Sequence, residues 1–348
     1  MVIVVSGGIR LHFAAHPELS PDDDMLHPMQ ALLPGVPWIE SPFFEEFAEQ
    51  VWTDPERLRI AREMHTQGFS VIDFPDPDFD AIAETIRRDL APQFDLDRWR
   101  TVGDISLRVQ DAWQSHEGVR RLAANPKVLE ILSDLYGRKA WPFQTLNFPV
   151  GTQQSAHSDA VHFSSVPDRF MCGVWVALED IHEDAGPLEY YPGSHRWPAY
   201  GNDQLGLCAS DHDGPMGQGV YEPIWRELIR LHGTAPQRFL ARKGQAVIWA
   251  ANVLHGGSPQ HDKNRTRWSQ VTHYYFEGCA WYTPMGTDLW LQKAMVREPR
   301  NIAGAQAVMK GGYLGKPVEP QAWQGSPVAG YRTPARRTDF LSRLFRSA

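Results

Sequence analysis

The chain has 348 residues, 42% of them hydrophobic, and a formal net charge of −8. That is enough chain for a sizeable core in one large domain or two smaller ones, and the acidic balance excludes the basic face that general nucleic-acid binding requires. Cys172, Cys208 and Cys279 are too scattered for a disulfide framework or zinc knuckle, the apolar start at Val2–Val5 is too short for a secretory leader, and no apolar run reaches membrane-span length, so a cytoplasmic protein is expected.

In chain order, residues 1–50 read as an extended arm, with turn chemistry at Pro21-Asp22-Asp23-Asp24 and Pro34-Gly35-Val36-Pro37. Asp54-Pro55-Glu56 is a helix start, with an Asp cap and Pro at the first helical position, and Leu58, Ala61, Met64 and His65 continue at helical spacing. Residues 68–74 read as a strand and 77–90 as a helix. Val119, Leu122, Leu129, Leu132 and Leu135 predict one helix over 115–137, closed by Gly137. From residue 140 the period changes to two, giving strands at 143–148, 171–178, 246–249 and 268–276. Turn clusters such as Asp184-Ala185-Gly186-Pro187 and Pro192-Gly193-Ser194-His195 separate them. Short strands between such turns predict an antiparallel sandwich or jelly roll, mainly β with flanking helices. Residues 205–235 read as an insertion with a helix near Ile224–Leu231, and a further helix is predicted near Asp288–Val296. The segment Tyr331–Ala348 carries five arginines against Asp339 and reads as a solvated terminus. The expected organisation is an N-terminal arm and helical layer (1–139), a β core (140–283) and a C-terminal extension (284–348).

The chemistry concentrates in His157-Ser158-Asp159 and in His255, ninety-eight residues later. Two apart on extended chain, His157 and Asp159 leave the same face. With His255, which precedes two glycines, they make two imidazoles and a carboxylate, a set that fills one face of an octahedral metal and leaves the other open. It is the donor pattern of non-heme Fe(II) oxygenases. Such enzymes often draw electrons from 2-oxoglutarate, whose distal carboxylate needs a buried cation. Arg267 suits it because a guanidinium offers two parallel donors, and Ser269, on the same strand face, adds a hydroxyl. Arg265 has the same parity as Arg267, so spacing leaves both open. His162, five residues after His157, points to the opposite face if the strand continues, and His195, His261 and His273 read as structural.

Across residues 140–283 the sequence resembles the phytanoyl-CoA dioxygenase (PhyH-like) family of Fe(II)/2-oxoglutarate oxygenases. The residues that carry the likeness are His157-Ser158-Asp159, Trp175-Val176-Ala177-Leu178-Glu179-Asp180, Gly186-Pro187-Leu188, Pro192-Gly193-Ser194-His195, His255-Gly256-Gly257, and Arg267-Trp268-Ser269 leading to His273-Tyr274-Tyr275. The resemblance implies a double-stranded β-helix (a jelly-roll, cupin-like core) with iron held by His157, Asp159 and His255. It further implies that Arg267 binds the 2-oxoglutarate C5 carboxylate and that Trp175 lines the co-substrate pocket. Gln144 and Asn147, on the strand before the His-Ser-Asp triplet, fall where related enzymes contact co-substrate or substrate. Gly257 departs from the pattern, because the family often has a hydroxyl residue there.

The expected activity is therefore oxidation of a C–H bond of a small-molecule metabolite, with Fe(II), 2-oxoglutarate and O2, and release of succinate and CO2. The intact Asp159 argues for hydroxylation rather than halogenation, in which a chloride takes the carboxylate's position. The alternatives are a cupin-like Zn or Mn hydrolase or isomerase with the same donors, and a non-catalytic binding protein of the same fold. No nucleic-acid or membrane partner is expected, and nothing in the sequence sets the oligomeric state.

Overall fold

The computed structural model describes residues 2–4, 10–12, 30, 32–102, 107–209, 217–291, 293–304 and 307–318. Much of the expected N-terminal arm and all of the arginine-rich segment Tyr331–Ala348 lie outside the described residues.

The expected arm ends earlier than predicted. Phe44–Val51 forms helix α1, which buries Phe44, Phe47 and Ala48 at helical spacing. Helix α2 (Pro55–Gln67) starts where Asp54 accepts a hydrogen bond from the Arg57 amide and stops at Gly68, whose φ of 84° is the left-handed conformation a helix end favours. Strand β1 (Phe69–Asp73) and helix α3 (Phe79–Leu90) follow as expected, and strand β2 (Val109–Gln110) is a short edge. The single helix predicted over 115–137 is two, α4 (Glu117–Ala123) and α5 (Pro126–Tyr136). Pro126 has no N–H to continue the ladder, and the Asn125 side chain caps the amides of Lys127 and Val128, so a new helix begins there. The apolar period runs through the break because both helices face the same core.

Strands β3 (Ala140–Phe148), β4 (Met171–Ala177), β5 (Leu188–Tyr190), β6 (Gln237–Phe239), β7 (Gln245–Ala250), β8 (His255–Gly257) and β9 (Ser269–Phe276) complete two antiparallel sheets. The larger has the order β1-β7-β4-β9-β3-β2, and the smaller β8-β5-β6. Two strands of the larger sheet thus come from before residue 140. Helix α6 (Glu222–His232) lies in the insertion, and its Trp225 and Leu228 pack with Val161 and Leu254. The helix predicted near Asp288–Val296 is instead a 3-10 turn at Leu289–Leu291 flanked by bridges from Asp288 to Lys293 and from Tyr282 to Val296.

One core cluster joins α1 to α5 to one face of the larger sheet through residues such as Val174, Val176 and Ile248. A second lies between the sheets and contains Phe148, Trp175, Val247, Trp249, Tyr190 and Val271. Every residue of β4 and β9 is buried, because both sheet faces are covered. This is a jelly-roll, double-stranded β-helix core with flanking helices. No helix among the described residues is long and apolar enough to cross a membrane.

Register puts Gln144, His273, Gly173 and Trp249 side by side across four strands, all on the face between the sheets. The Trp249 indole lies over Gly173 so closely that a Cβ there would come within 2.1 Å of the ring. Gly173→Ala is expected to lower unfolding stability by about 1–3 kcal/mol through overpacking, whereas Gly217→Ala, with no atom of a described residue within 4 Å of its Cβ position, stays neutral. Urea midpoints of the two variants check this, and a Gly173→Ala protein as stable as the parent would contradict the packing.

Candidate metal centre

The site is assembled by backbone pairing. His157 and His255 form an isolated antiparallel bridge with reciprocal hydrogen bonds of 2.9 and 3.0 Å, which sets their rings 4.4 Å apart between centroids. After Ser158 the chain leaves the extended conformation and enters a 3-10 turn, Asp159–Val161. The Ser158 hydroxyl caps that turn through the Ala160 amide and itself donates to the Ala251 carbonyl. The donor atoms of His157, Asp159 and His255 lie within 4.8 Å of one another, and all three residues are buried. The Asp159 oxygens stand 3.8 Å from each Nε2 atom.

The surroundings fix which atoms face the centre. His157 Nδ1 meets the Ser155 carbonyl at 2.9 Å, and His255 Nδ1 meets the Val253 carbonyl at 3.1 Å. Each Nδ1–H donates to its carbonyl, so each Nε2 presents a lone pair to the centre. Burial pushes the His157 imidazole down to about 3, which keeps it neutral and ready to bind a cation. Burial alone would raise the Asp159 carboxyl. The surrounding imidazoles and the Trp249 N–H outweigh it and hold the group below its ordinary value, as a carboxylate. Trp249 Nε1 donates to Asp159 Oδ2 at 2.9 Å. Two imidazoles and one carboxylate make a donor set that suits a divalent transition metal.

Beside this set, a cavity of about 510 Å³ opens between the sheets. Arg267 lines it, only 2% exposed. Its Nη1 donates to the Gly186 carbonyl at 3.0 Å, its Nε has no partner, and no described carboxylate pairs with it. Burial lowers the guanidinium to about 10, still a cation at neutral pH. Ser269 Oγ, Tyr190 OH and Trp175 Nε1 are also buried without partners. With the Arg267 Nε, that makes four unpartnered buried polar atoms gathered in this region.

Of the other expected residues, Trp175 and Gln144 line the cavity, and Gln144 Oε1 accepts from His273 Nδ1 at 2.9 Å. Asn147 does not line it. Strand alternation turns Asn147 to the opposite face, where it donates to Gln270 among the helices. Arg265 is at the surface with Asp262, 3.4 Å away, so of the two arginines only Arg267 reaches the pocket. His162 points into the cavity and bonds Gln218 at 3.1 Å, because the 3-10 turn breaks the strand alternation that would have sent it away. His273, read as structural, stands in the wall with Nε2 3.7 Å from Asp159. Its parity with Ser269 was the available signal. Tyr190 and Trp249 were missed, though each occupies an alternating strand position. At Gly257 a Cβ would meet the Gln153 amide at 3.0 Å, so the chain passes too close for the hydroxyl residue that the family pattern often carries. His195 anchors its turn to the His65 carbonyl.

A jelly roll with this donor set and an unpaired buried guanidinium defines the architecture of iron- and 2-oxoglutarate-dependent enzymes. The family model for phytanoyl-CoA dioxygenase (PhyH) matches residues 64–267, and the chain belongs to that family. It is accordingly an Fe/2-oxoglutarate-dependent oxygenase-family enzyme, using iron, 2-oxoglutarate and O2. Among solved structures, the epimerase SnoN in complex with Fe3+, alpha ketoglutarate and nogalamycin RO is similar at 20% identity and a TM-score of 0.51, over 76% of this chain and 97% of that one. EctD from S. alaskensis with 2-oxoglutarate and 5-hydroxyectoine is 18% identical with a TM-score of 0.47, over 73% and 87%. The carbocyclase SnoK from nogalamycin biosynthesis is 16% identical with a TM-score of 0.48, over 66% and 86%. No curated protein matches the chain.

Two outcomes follow from this geometry. Trp249→Phe keeps the ring but removes the hydrogen bond to Asp159, and Fe(II) affinity is expected to fall about 10–100-fold; an unchanged titration would mean that the indole does not position the carboxylate. The second concerns pH. His157 is held at about 3, and His195 and His273 at about 4, in each case chiefly by burial. Their unfolded values lie near 6.5. Below that value the unfolded chain binds protons that the folded chain refuses, so stability is full above about pH 6.5 and falls as the pH drops toward about 4. Melting temperatures of the metal-free protein from pH 7.5 to 4.5 test this, and a flat profile would count against it.

Proposed function

We propose that the protein oxidises a C–H bond of a small-molecule metabolite, by hydroxylation or a related oxidation, with release of succinate and CO2. His157, Asp159 and His255 hold the iron. Arg267 receives the C5 carboxylate of 2-oxoglutarate, with Ser269, Tyr190 and Trp175 around it. The observation that carries this reading is the buried guanidinium without a counter-charge beside an intact donor triad. A hydrolase or isomerase on the same donors has no use for such a group. When bound, iron and 2-oxoglutarate supply O2 activation at the expense of oxidative decarboxylation.

The chain's own residues supply the rest. The His157–His255 bridge and the Trp249 hydrogen bond hold the donors in place before metal arrives, which lowers the cost of binding. Gly186 keeps a φ of 70°, and its carbonyl fixes one arm of Arg267. The Trp175 ring, 6.0 Å from that guanidinium, walls it from water. Gln144 holds His273 over the cavity at the metal side, where the substrate's reacting carbon must lie. The three separated cysteines fit a reducing cytoplasm.

Anaerobic Fe(II) plus 2-oxoglutarate is expected to give a weak visible metal-to-ligand band, which Asp159→Ala loses or alters. Arg267→Met is expected to weaken 2-oxoglutarate binding about a hundredfold. The same variant should melt at a higher temperature than the parent without ligands, because it removes an unpaired buried charge. Absence of the band in the parent protein, or an Arg267→Met protein with parental 2-oxoglutarate affinity, would overturn the assignment.

A further inference from the structure

We propose that Arg108 anchors an acid group of the substrate, so that the enzyme acts on a compact anionic metabolite, a carboxylate or a phosphate ester. The inference rests on the oxygenase reading above and adds the substrate's charge to it.

Arg108 lines the same cavity as the triad. It is exposed there and makes no hydrogen bond or ion pair with any described residue. It precedes Val109, which pairs with Asn147, so it stands beside Phe148 at the outer edge of the sheet. Phe148 in turn faces Ser269 on its other side. Neighbouring strands lie about 4.8 Å apart, which puts Arg108 two strand spacings from β9 and from the co-substrate's arginine. The two guanidinium groups therefore serve different ligands across one cavity.

The charge balance of the wall points the same way. The whole chain has 42 acidic against 34 basic residues. Yet Asp159, a metal donor, is the sole acidic side chain among the described residues lining this cavity, against two arginines. A concave wall of one sign focuses its field on an approaching ion. Once 2-oxoglutarate neutralises Arg267, Arg108 remains as the uncompensated cation among the described residues lining the cavity. Between it and the metal row, Gln110 and Gln144 line the same wall. Gln144 spends its carbonyl on His273 and keeps its NH2 group for a ligand. The four residue steps from Phe148 to Gln144 span about 13 Å of strand, part of which the arginine side chain covers. A substrate held at its acid end by Arg108 would then present a carbon several bonds away to the metal, with polar groups in between facing the two amides. The volume of about 510 Å³, shared with 2-oxoglutarate, keeps that substrate small.

The test uses the full-length protein, anaerobic, loaded with Fe(II) and 2-oxoglutarate, and reads the shift of the visible band as probes bind. The probes are phenylacetate, 4-phenylbutyrate and phenyl phosphate, each beside a neutral partner: phenylacetamide, 4-phenylbutyramide and phenol. Acids are expected to bind about tenfold or more tightly than their neutral partners, and Arg108→Gln to erase that difference. The carboxylate and phosphate arms decide which acid the site takes. Titration of 2-oxoglutarate into Arg108→Gln is expected to stay within about twofold of the parent, since Arg267 serves that ligand. Acids and neutral partners that bind alike, a parent protein that no acid perturbs, or an Arg108→Gln variant that loses 2-oxoglutarate affinity would each overturn the proposal. Failure of the parent to form the band at all rejects the oxygenase reading instead, so the two failures are told apart.

Discussion

Two backbone hydrogen bonds between His157 and His255 hold the rest of the site together. They join segments that belong to different parts of the chain, and they do so without engaging either side chain. Both imidazoles thereby emerge side by side, with their Nδ1 atoms already committed to backbone carbonyls. The turn that follows Ser158 then swings Asp159 beneath them, where the Trp249 indole takes one of its oxygens. Because the rings are ordered by main-chain pairing, the fold itself brings the donor set together. The sheet provides the room for it: Gly173 has no side chain, and that vacancy is what lets the indole lie flat across the strand.

Electrostatically the interior is arranged around an imbalance. A guanidinium is buried at Arg267 with a single carbonyl for company, and hydroxyls of Ser269 and Tyr190 are left without partners close by. Leaving such groups unsatisfied costs free energy in the ligand-free fold. On the proposed reading, the diacid co-substrate completes the arrangement. Burial also raises the Tyr190 phenol well above its ordinary value, so it stays protonated and able to donate. On the proposed reading, a carboxylate of the co-substrate satisfies these groups, which favours its binding.

The donor triad was legible in the sequence because metal chemistry demands particular side chains, and His157, Asp159 and His255 have few substitutes. The jelly roll was legible in the alternation of strands and Gly/Pro turns. Asn147 shows where legibility ended. Strand alternation separates it from Gln144, but in a sheet buried on both faces nothing in the sequence says which face holds the cavity. Arg265 and Arg267 share parity, and only the position of the strand's start, with Arg267 just ahead of Ser269, separates them. His162 was misread because a 3-10 turn at Asp159 breaks the count, and the helix break at Asn125-Pro126 was overridden by an apolar rhythm that both helices share. In these last two cases the deciding chemistry was local, a Ser158 cap on the turn and an Asn125 cap on the second helix.

Among the described residues, the insertion reaches the rim of the cavity through Gln218 and packs against Val161 and Leu254 through Trp225 and Leu228 of α6. Gln218, on the turn before α6, accepts from the Gln154 side-chain amide and meets the His162 ring, spanning the rim of the cavity. Its amide bears no charge and contacts none of the three metal donors. Val161 shares its turn with Asp159, and Leu254 precedes His255, so the packing of the insertion is tied to the segments that carry the metal donors. A change in how the insertion packs therefore reaches the turn that carries Asp159 as well as the rim of the cavity.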